Sequence, residues 1–337
     1  MNVNPTRHLF RHIAAIATVA VFTAGGAAAL FTALPAAAQD YPSKPIKFLV
    51  GFSPGGSADL ISRFVAQKLG ERLGQPIVVE QRLGATGIIA QDAVAKAAPD
   101  GYTMVLLTGG HATSAVMKKK LPYHPVNDFA MVSTIIEYPM AIGVRPDSPI
   151  KSFPDLLARA KAEPGKLSMS SAGTGSLHHL LGEWIKIESG TEMIHVPFSG
   201  AGPAYTELLG GRIDVFIETM TFLNVNFKNG QVRPLAVSSA HRLKDFPNVP
   251  TISETLPGVD LTSWLGVVVA PGTPPAIVNR LNRELRLVLA EPATAERFAQ
   301  LGGLPAASTP DEMRARVQRE IERWSRVVKL RNIERQD

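Results

Sequence analysis

Phe48–Arg63 reads FLVGFSPGGSADLISR. A short apolar run ends at Gly51 and a glycine-rich turn follows. Leu60, Ile61, Phe64, Val65, Leu69 and Leu73 then recur at the i, i+3/i+4 spacing of a helical stripe. Strand, loop and helix open a βαβ unit, and the next segments continue it. Ile77-Val78-Val79 is a strand, Ile88 to Ala97 a helix closed by Pro99-Asp100-Gly101, and Met104 to Leu107 a third strand. That order predicts a parallel sheet with helices on both faces.

The pattern restarts after residue 150. Ser152-Phe153-Pro154-Asp155 caps a helix over 154–162, KLSMSSA is a strand, and 176–188 is a helix with Leu177, Leu180, Leu181, Trp184 and Ile185 on one side. IHVPF and IDVFI are strands flanking a helix at 203–209, RPLAVSS is another strand, and WLGVVVAPG returns as an apolar strand. Two helices close the chain. Thr309-Pro310-Asp311-Glu312 is a capping box with Pro at the first helical position, and Met313, Val317, Ile321, Trp324 and Val328 form the last helix's stripe. The tail RNIERQD is expected to fray. Two α/β units joined by crossings near 138–145 and 261–270 make a hinge, and a hinge between such units makes a cleft that closes on a ligand.

The first 38 residues are a separate matter. Arg7 and Arg11 precede an apolar run from Ile13 to Leu34 that ends in Pro35-Ala36-Ala37-Ala38, the layout of a secretory signal peptide cleaved near Ala38. A membrane anchor is the alternative, but Gly25, Gly26 and Pro35 interrupt the run. Without Arg7 and Arg11 the formal charge falls from +6 to +4. That excess favours anions in general and is too small and too scattered for a nucleic-acid surface. Lys118-Lys119-Lys120 reads as a solvated face. The chain has no cysteine, which removes thiol chemistry. With 45% hydrophobic and 19% charged residues a folded core is expected throughout the mature part.

Gly51-Phe52-Ser53-Pro54-Gly55 matches G-x-S-x-G, the nucleophile elbow of serine hydrolases. An elbow takes one oxyanion donor from the residue after the nucleophile, and here that residue is Pro54, which has no N–H. Losing one such donor typically slows acyl transfer by about 100- to 1000-fold. A binding loop accounts for more of the letters. Pro54 stiffens the turn, Gly55 and Gly56 bring backbone amides to the surface, Ser57 caps the helix, and Asp59 suits its first turn. Free amides at a helix start hold an anion without a cationic side chain.

Three further loops repeat this device: Ser170 to Ser176, Ser199 to Gly202 before Pro203, and Gly84 to Gly87. The Ser170–Ser176 loop is no dinucleotide fingerprint, since His178 stands where a third Gly is needed, and it is no P-loop, lacking G-K-[ST]. Four such loops shared between two units point to amides converging on one cleft. His178 and His179 are adjacent and diverge on a helix, so a shared metal is not expected; His179 and Glu183 read as a surface contact. Trp184 and Trp324 fit core stripes, while Trp264 and Phe198 either pack or cover a ligand.

Nearly the whole mature chain resembles the extracytoplasmic solute receptors of the tripartite tricarboxylate transporters, the Bug family. The resemblance is carried, in family order and spacing, by YPSKPIKFLVGFSPGGSADLISR, APDGYTM, KLPYHPVNDF, SAGTGSLHHLLGE, HVPFSGAGPAYTELLGGRIDVF and FPNVPTISE. It implies an α/β, two-lobed periplasmic binding protein fold (type II, Venus-flytrap) with a hinge crossed twice. Lobe 1 is then 39–139 with 265–337, and lobe 2 is 140–264. Carried over residue by residue, the ligand-binding set is Phe52, Ser53, Pro54, Gly55, Gly56, Ser57 and Asp59 of the first loop, with Ser171, Gly173, Thr174 and Ser176. Ser199, Gly200 and Ala201 follow from the PFSGAG turn, His111 from a position near the family's cleft, and Glu218 from the pocket-side acid usually written Asp. Gln81-Arg82-Leu83-Gly84-Ala85-Thr86-Gly87 departs from the family's N-R-P-G-A-G-G, and with Glu218 it puts citrate in doubt.

The expected protein is a periplasmic monomer that binds a small organic anion and hands it to membrane transporter subunits. That anion is a di- or tricarboxylate, or an aromatic or amino acid carboxylate. No catalytic step, metal, cofactor or nucleic acid is expected. Two other readings stay open: a secreted serine hydrolase using Ser53, and a binding-lobe sensor that docks on a signalling partner.

Overall fold

The computed structural model describes residues 41–55 and 57–337; the expected leader and Gly56 lie outside them. Strand β1 (Ile46–Val50) pairs in parallel with β2 (Ile77–Gln81) on one side and β3 (Thr103–Thr108) on the other. Phe48, Leu49 and Val50 are all buried, as a central strand covered on both faces requires. Helices α1 (Ser57–Leu73), α2 (Ile88–Ala95) and α3 (Gly110–Met117) follow the three strands in turn.

The sheet is mixed, which corrects the expected parallel one. The return strand β9 (Thr262–Val269) lies antiparallel to β3, and β4 (Ala130–Val144) lies antiparallel to β9. β4 is the spine of the molecule. Its first part pairs with β9, the last partners being Pro139 and Thr262, and with the short β10 (Leu304–Pro305). From Met140 onward it pairs instead with β7 (Phe216–Thr219) and β8 (Arg233–Val237). Pro139 cannot donate to a ladder, so it sits where one set of partners ends and the next begins. Register shifts at Met131/Ser133, Thr134/Ile136 and Ile142/Gly143 twist the strand along its length.

On the far side of this changeover, β5 (Ser168–Ser171) runs parallel to β6 (Ile194–Pro197), and Met169 bridges to Val215 just before β7. The surrounding helices are α4 (Phe153–Ala162), α5 (Leu177–Ser189), α6 (Ala201–Leu209) and α7 (Met220–Lys228). α8 (Pro275–Leu289), α9 (Pro292–Gln300) and α10 (Pro310–Leu330) close the chain.

Among the described residues, three apolar clusters hold these parts. One joins Leu49, Val105, Phe129, Trp264, Met313 and Val317. A second joins Ala141, Leu208, Phe216, Leu223 and Phe227. The third joins Met117 of α3, Leu177 and Leu181 of α5, and Trp324 and Val327 of α10. Trp184 and Trp324 meet edge to face, centroids 6.0 Å apart. Each fully buried aliphatic or aromatic side chain contributes about 1.5–3 kcal/mol.

Several expectations change at this level. Leu60 is exposed and leaves the α1 stripe, whereas Ile61, Val65 and Leu69 are fully buried. Ser57 is the first residue of α1 and not its cap. Trp264 is fully buried, with its Nε1 donating to Glu320 at 2.9 Å, so it packs and covers no ligand. The capping box at Thr309 and Glu312 forms as the sequence predicts.

The tail does not fray. Arg331 donates to Glu183 and Glu192, and Ile333 packs against the third cluster. Gln336 accepts from Lys119 N at 2.8 Å and donates its own N–H to Met117 O at 2.7 Å. Lys118 and Lys119 therefore dock the tail and are not a free solvated face.

Candidate functional site

The glycine-rich loops come together in two pairs. In the first, the loop after β1 meets the loop after β2. A Cβ on Gly51 would lie 2.4 Å from Gly87 Cα, so the two backbones approach as only glycine permits. The Phe52 ring packs against Gly87, and Ser53, Pro54 and Gly55 are exposed. Asp59 is buried and braces this loop from below. It accepts from Gly55 N (2.9 Å), Gln81 Nε2 (2.6 Å) and Arg63 Nε. Burial pulls its pKa upward, but the Gly55 amide, Arg63 and Gln81 outweigh burial and hold the carboxyl below its usual range.

Two expectations are refined here. Asp59 supports the loop and has no free face for a ligand, and the Gly55 amide is spent on Asp59. Among the described residues neither the N–H nor the hydroxyl of Ser53 has a protein partner. A serine nucleophile needs an adjacent base, and among the described residues none is hydrogen-bonded to Ser53. Ala85 and Thr86 both carry left-handed backbone (φ 47 and 56) in the facing loop. Non-glycine residues held there cost of order 1–3 kcal/mol each and tend to cluster at ligand clamps. No letter at Ala85 announces this.

In the second pair, the loop after β5 meets the loop after β6. Phe198 N donates to Ser171 O at 3.0 Å, and Gly173 faces Phe198 O. Ser171 is buried, and its hydroxyl serves the loop: Oγ accepts from Gly173 N (3.1 Å) and lies 2.6 Å from His195 Nε2. Ser176 caps α5 by accepting from His179 N. Thr174 is exposed, and its carbonyl accepts from Gln336 Nε2 at 3.1 Å. Gly200 precedes α6 with no side-chain cap, so the Ala201 and Gly202 amides have no partner within the helix, and open space lies in front of Gly200 and Gly202. Ser199 is exposed beside them.

The second pair stands close to the first lobe. A Cβ on Gly109, at the end of β3, would meet Leu177 Cδ2 at 3.4 Å and Ser263 Oγ at 3.5 Å, and one on Gly175 would meet Met117 at 2.8 Å. Glu218, the penultimate residue of β7, lies in this region and is buried. All its hydrogen bonds fall on Oε1, from Thr219 N (2.7 Å), His178 Nε2 (2.9 Å) and Thr219 Oγ1 (3.0 Å). Oε2 has no protein partner among the described residues. Burial raises the Glu218 pKa, yet His178 and the Thr219 donors prevail and keep it lowered. An ionised carboxylate with one free oxygen accepts a donor from whatever lies beside it.

His111 is placed elsewhere. It is buried in lobe 1, stacked on Tyr123 with Phe129 edge-on, its Nδ1 2.8 Å from the Gln91 side chain and its Nε2 2.7 Å from Pro125 O. Burial lowers its pKa to about 4, so the ring is neutral. Pro125 O can only accept, so His111 Nε2 donates to it. Both ring nitrogens are committed, so His111 supports the lobe and does not reach the loops.

His179 and Glu183, expected at the surface, are also buried. Glu183 lies 2.7 Å from Lys186 and from Arg331 and 3.6 Å from His179. Burial opposes its ionisation, but these partners bring its pKa down to about 2. Sequence reasoning passed over His195, which reads there as one more strand residue, and the tail residues Arg331 and Gln336. Among the described residues no group of His, Asp and Glu could hold a metal, and no helix is long and apolar enough to cross a membrane.

Two α/β lobes sharing one spine strand, each with a pair of glycine-rich loops, have the layout of a solute-binding protein. The comparisons with known proteins agree. Residues 61–333 match the model of the tripartite tricarboxylate transporter family receptor, and the chain belongs to that family. It is 38% identical over 320 residues to BugT of Bordetella pertussis, covering 93% of this chain and 96% of the relative. The structure of the periplasmic binding protein BugD superposes with a TM-score of 0.73 at 31% identity, covering 88% of this chain and all of the other. Rpa4515 of R. palustris, solved with adipate, gives 0.76 at 33% identity over 88% of this chain and 99% of its own.

Proposed function

We propose that this protein is a periplasmic receptor that captures a small carboxylate between its lobes, without chemistry, and delivers it to the membrane subunits of a tripartite transporter. The lobes are taken as 39–139 with 265–337, and 140–264. The observation that carries this reading is the pairing of glycine-rich loops, Gly51 against Gly87 in one lobe and Ser171 against Phe198 in the other. Ser53 N in lobe 1 and the Ala201 and Gly202 amides in lobe 2 are the open donors, and a carboxylate suits such donors directly or through bridging water. The adipate held by Rpa4515 is of this chemical class. Glu218 Oε2 supplies an acceptor for a donor at the ligand's other end. Asp59 and His111 act as supports, and Ser171 holds its loop.

The test is a thermal-shift panel of dicarboxylates, tricarboxylates, acidic amino acids and aromatic acids. A ligand at 100 times its Kd stabilises the fold by about 2.7 kcal/mol. A clear upward shift with one of these acids is expected; a flat response to all of them contradicts the reading.

A further inference from the structure

Behind the second loop pair lies a chain of buried and half-buried polar groups that gripping a carboxylate does not by itself require. Ser171 Oγ is 2.6 Å from His195 Nε2. The His195 ring lies on the His179 ring, centroids 3.8 Å apart and planes 19° apart. His179 Nδ1 accepts from Gly175 N at 3.1 Å, so in the neutral ring its proton is on Nε2, toward Glu183 Oε1 at 3.6 Å. Glu183 is in turn fixed by Lys186 and by Arg331, which also binds Glu192. Both ends of the turn Gly173–Gly175 thus rest on imidazoles, one through a serine hydroxyl and one directly.

The hydroxyl has two places for its proton. Ser171 Oγ can donate to His195 Nε2, or to Gly173 O at 3.1 Å, while accepting from Gly173 N. With His195 neutral, Nε2 accepts and the hydroxyl points at the ring. With His195 protonated, Nε2 becomes a donor, and the hydroxyl proton must turn to the Gly173 carbonyl. The groups facing His195 are His179, Glu183 and Lys186 of α5, Ser171 of β5, and Glu192 and Arg331 beyond them.

We propose that His195 is the positioning residue of the lobe 2 ligand loop, setting the Gly173 peptide through the Ser171 hydroxyl, and that protonating His195 turns the hydroxyl onto the Gly173 carbonyl and shifts that peptide. This rests on the reading of that loop as part of the carboxylate site. Burial, then the neighbouring His179 ring, bring the His195 pKa down to about 4, so the hold is intact at neutral pH.

The test follows the Gly173 and Gly175 amide resonances without ligand from pH 8 to pH 4, in the wild type and in His195→Leu, His195→Gln and Ser171→Ala. In the wild type the Gly173 amide moves toward the acid end. His195→Leu displaces it already at neutral pH and removes the titration, as does Ser171→Ala. His195→Gln keeps its neutral position because the amide reaches the hydroxyl, but does not titrate. With adipate as probe, His195→Leu and Ser171→Ala each weaken binding about tenfold, and the double variant by the same factor. A Gly173 amide unmoved by His195→Leu, or losses that multiply in the double variant, would overturn the proposal. Failure of the wild type to bind adipate or any acid of the panel would count against the receptor reading, while the amide titration still decides the role of His195.

Discussion

The two loop pairs look alike in sequence and are built on different foundations. In lobe 1 the loop Gly51–Gly55 rests on one carboxylate, Asp59, whose partners are an amide, Gln81 and a half-exposed Arg63. In lobe 2 the loop Ser171–Ser176 rests on stacked imidazoles, a buried Glu183–Lys186 pair and an arginine from the tail. In lobe 1 the buried imidazole His111 is spent on Gln91 and Pro125 O and makes no hydrogen bond to the loop. Glycine and serine therefore set what the loops present, and the residues beneath them set what disturbs each. Lobe 2 should respond to acid and to loss of charge, and the lobe 1 loop much less.

The sharpest way to break this contrast is to remove one carboxylate from each foundation. Glu183→Gln leaves Lys186 and Arg331 without their buried counter-charge and should cost about 3–5 kcal/mol in denaturant unfolding. Asp59→Asn keeps a hydrogen-bonding shape and should cost about 1 kcal/mol. Equal losses would erase the distinction between the two supports.

Acid acts on the fold through both lobes. His111 and His195 stay neutral in the fold down to about pH 4, whereas the unfolded chain takes up protons near 6.5. The unfolded state then holds more protons, so stability falls as pH drops from about 6.5 to 4. His111, fully buried, contributes on the order of 3 kcal/mol to that fall. The contribution of Glu183 is lost separately, below about pH 4.5 and on toward 2. Melting that stays level between pH 6.5 and 4 would contradict the neutral assignment of both rings.

The strand and helix order was legible because apolar periodicity survives burial: Ile46–Val50, the α5 side with Trp184 and the α10 stripe all fall where their spacing places them. The antiparallel return of β9 was not, since an apolar strand reads the same in either direction. The loops themselves could be found from Gly, Ser and Pro. What supports them could not. Asp59 reads as a helix-start residue until Gln81 is seen beside it, and His195 reads as one more strand residue until β5 brings Ser171 across. The docking of RNIERQD depends on Met117 and Thr174, more than 150 residues earlier in the chain, and charge alone suggested solvent.

The central claim is that backbone amides of both lobes hold the ligand carboxylate. It is tested most directly by following every backbone amide while the acid with the largest thermal shift is titrated in. The account predicts the largest changes at Ser53 in lobe 1 and at Ala201 and Gly202 in lobe 2, moving together with one affinity. Changes gathered instead around the hinge-side cavity of about 290 Å³ lined by Glu137, Thr262, Arg316, Arg319 and Arg323, with those loop amides still, would contradict it.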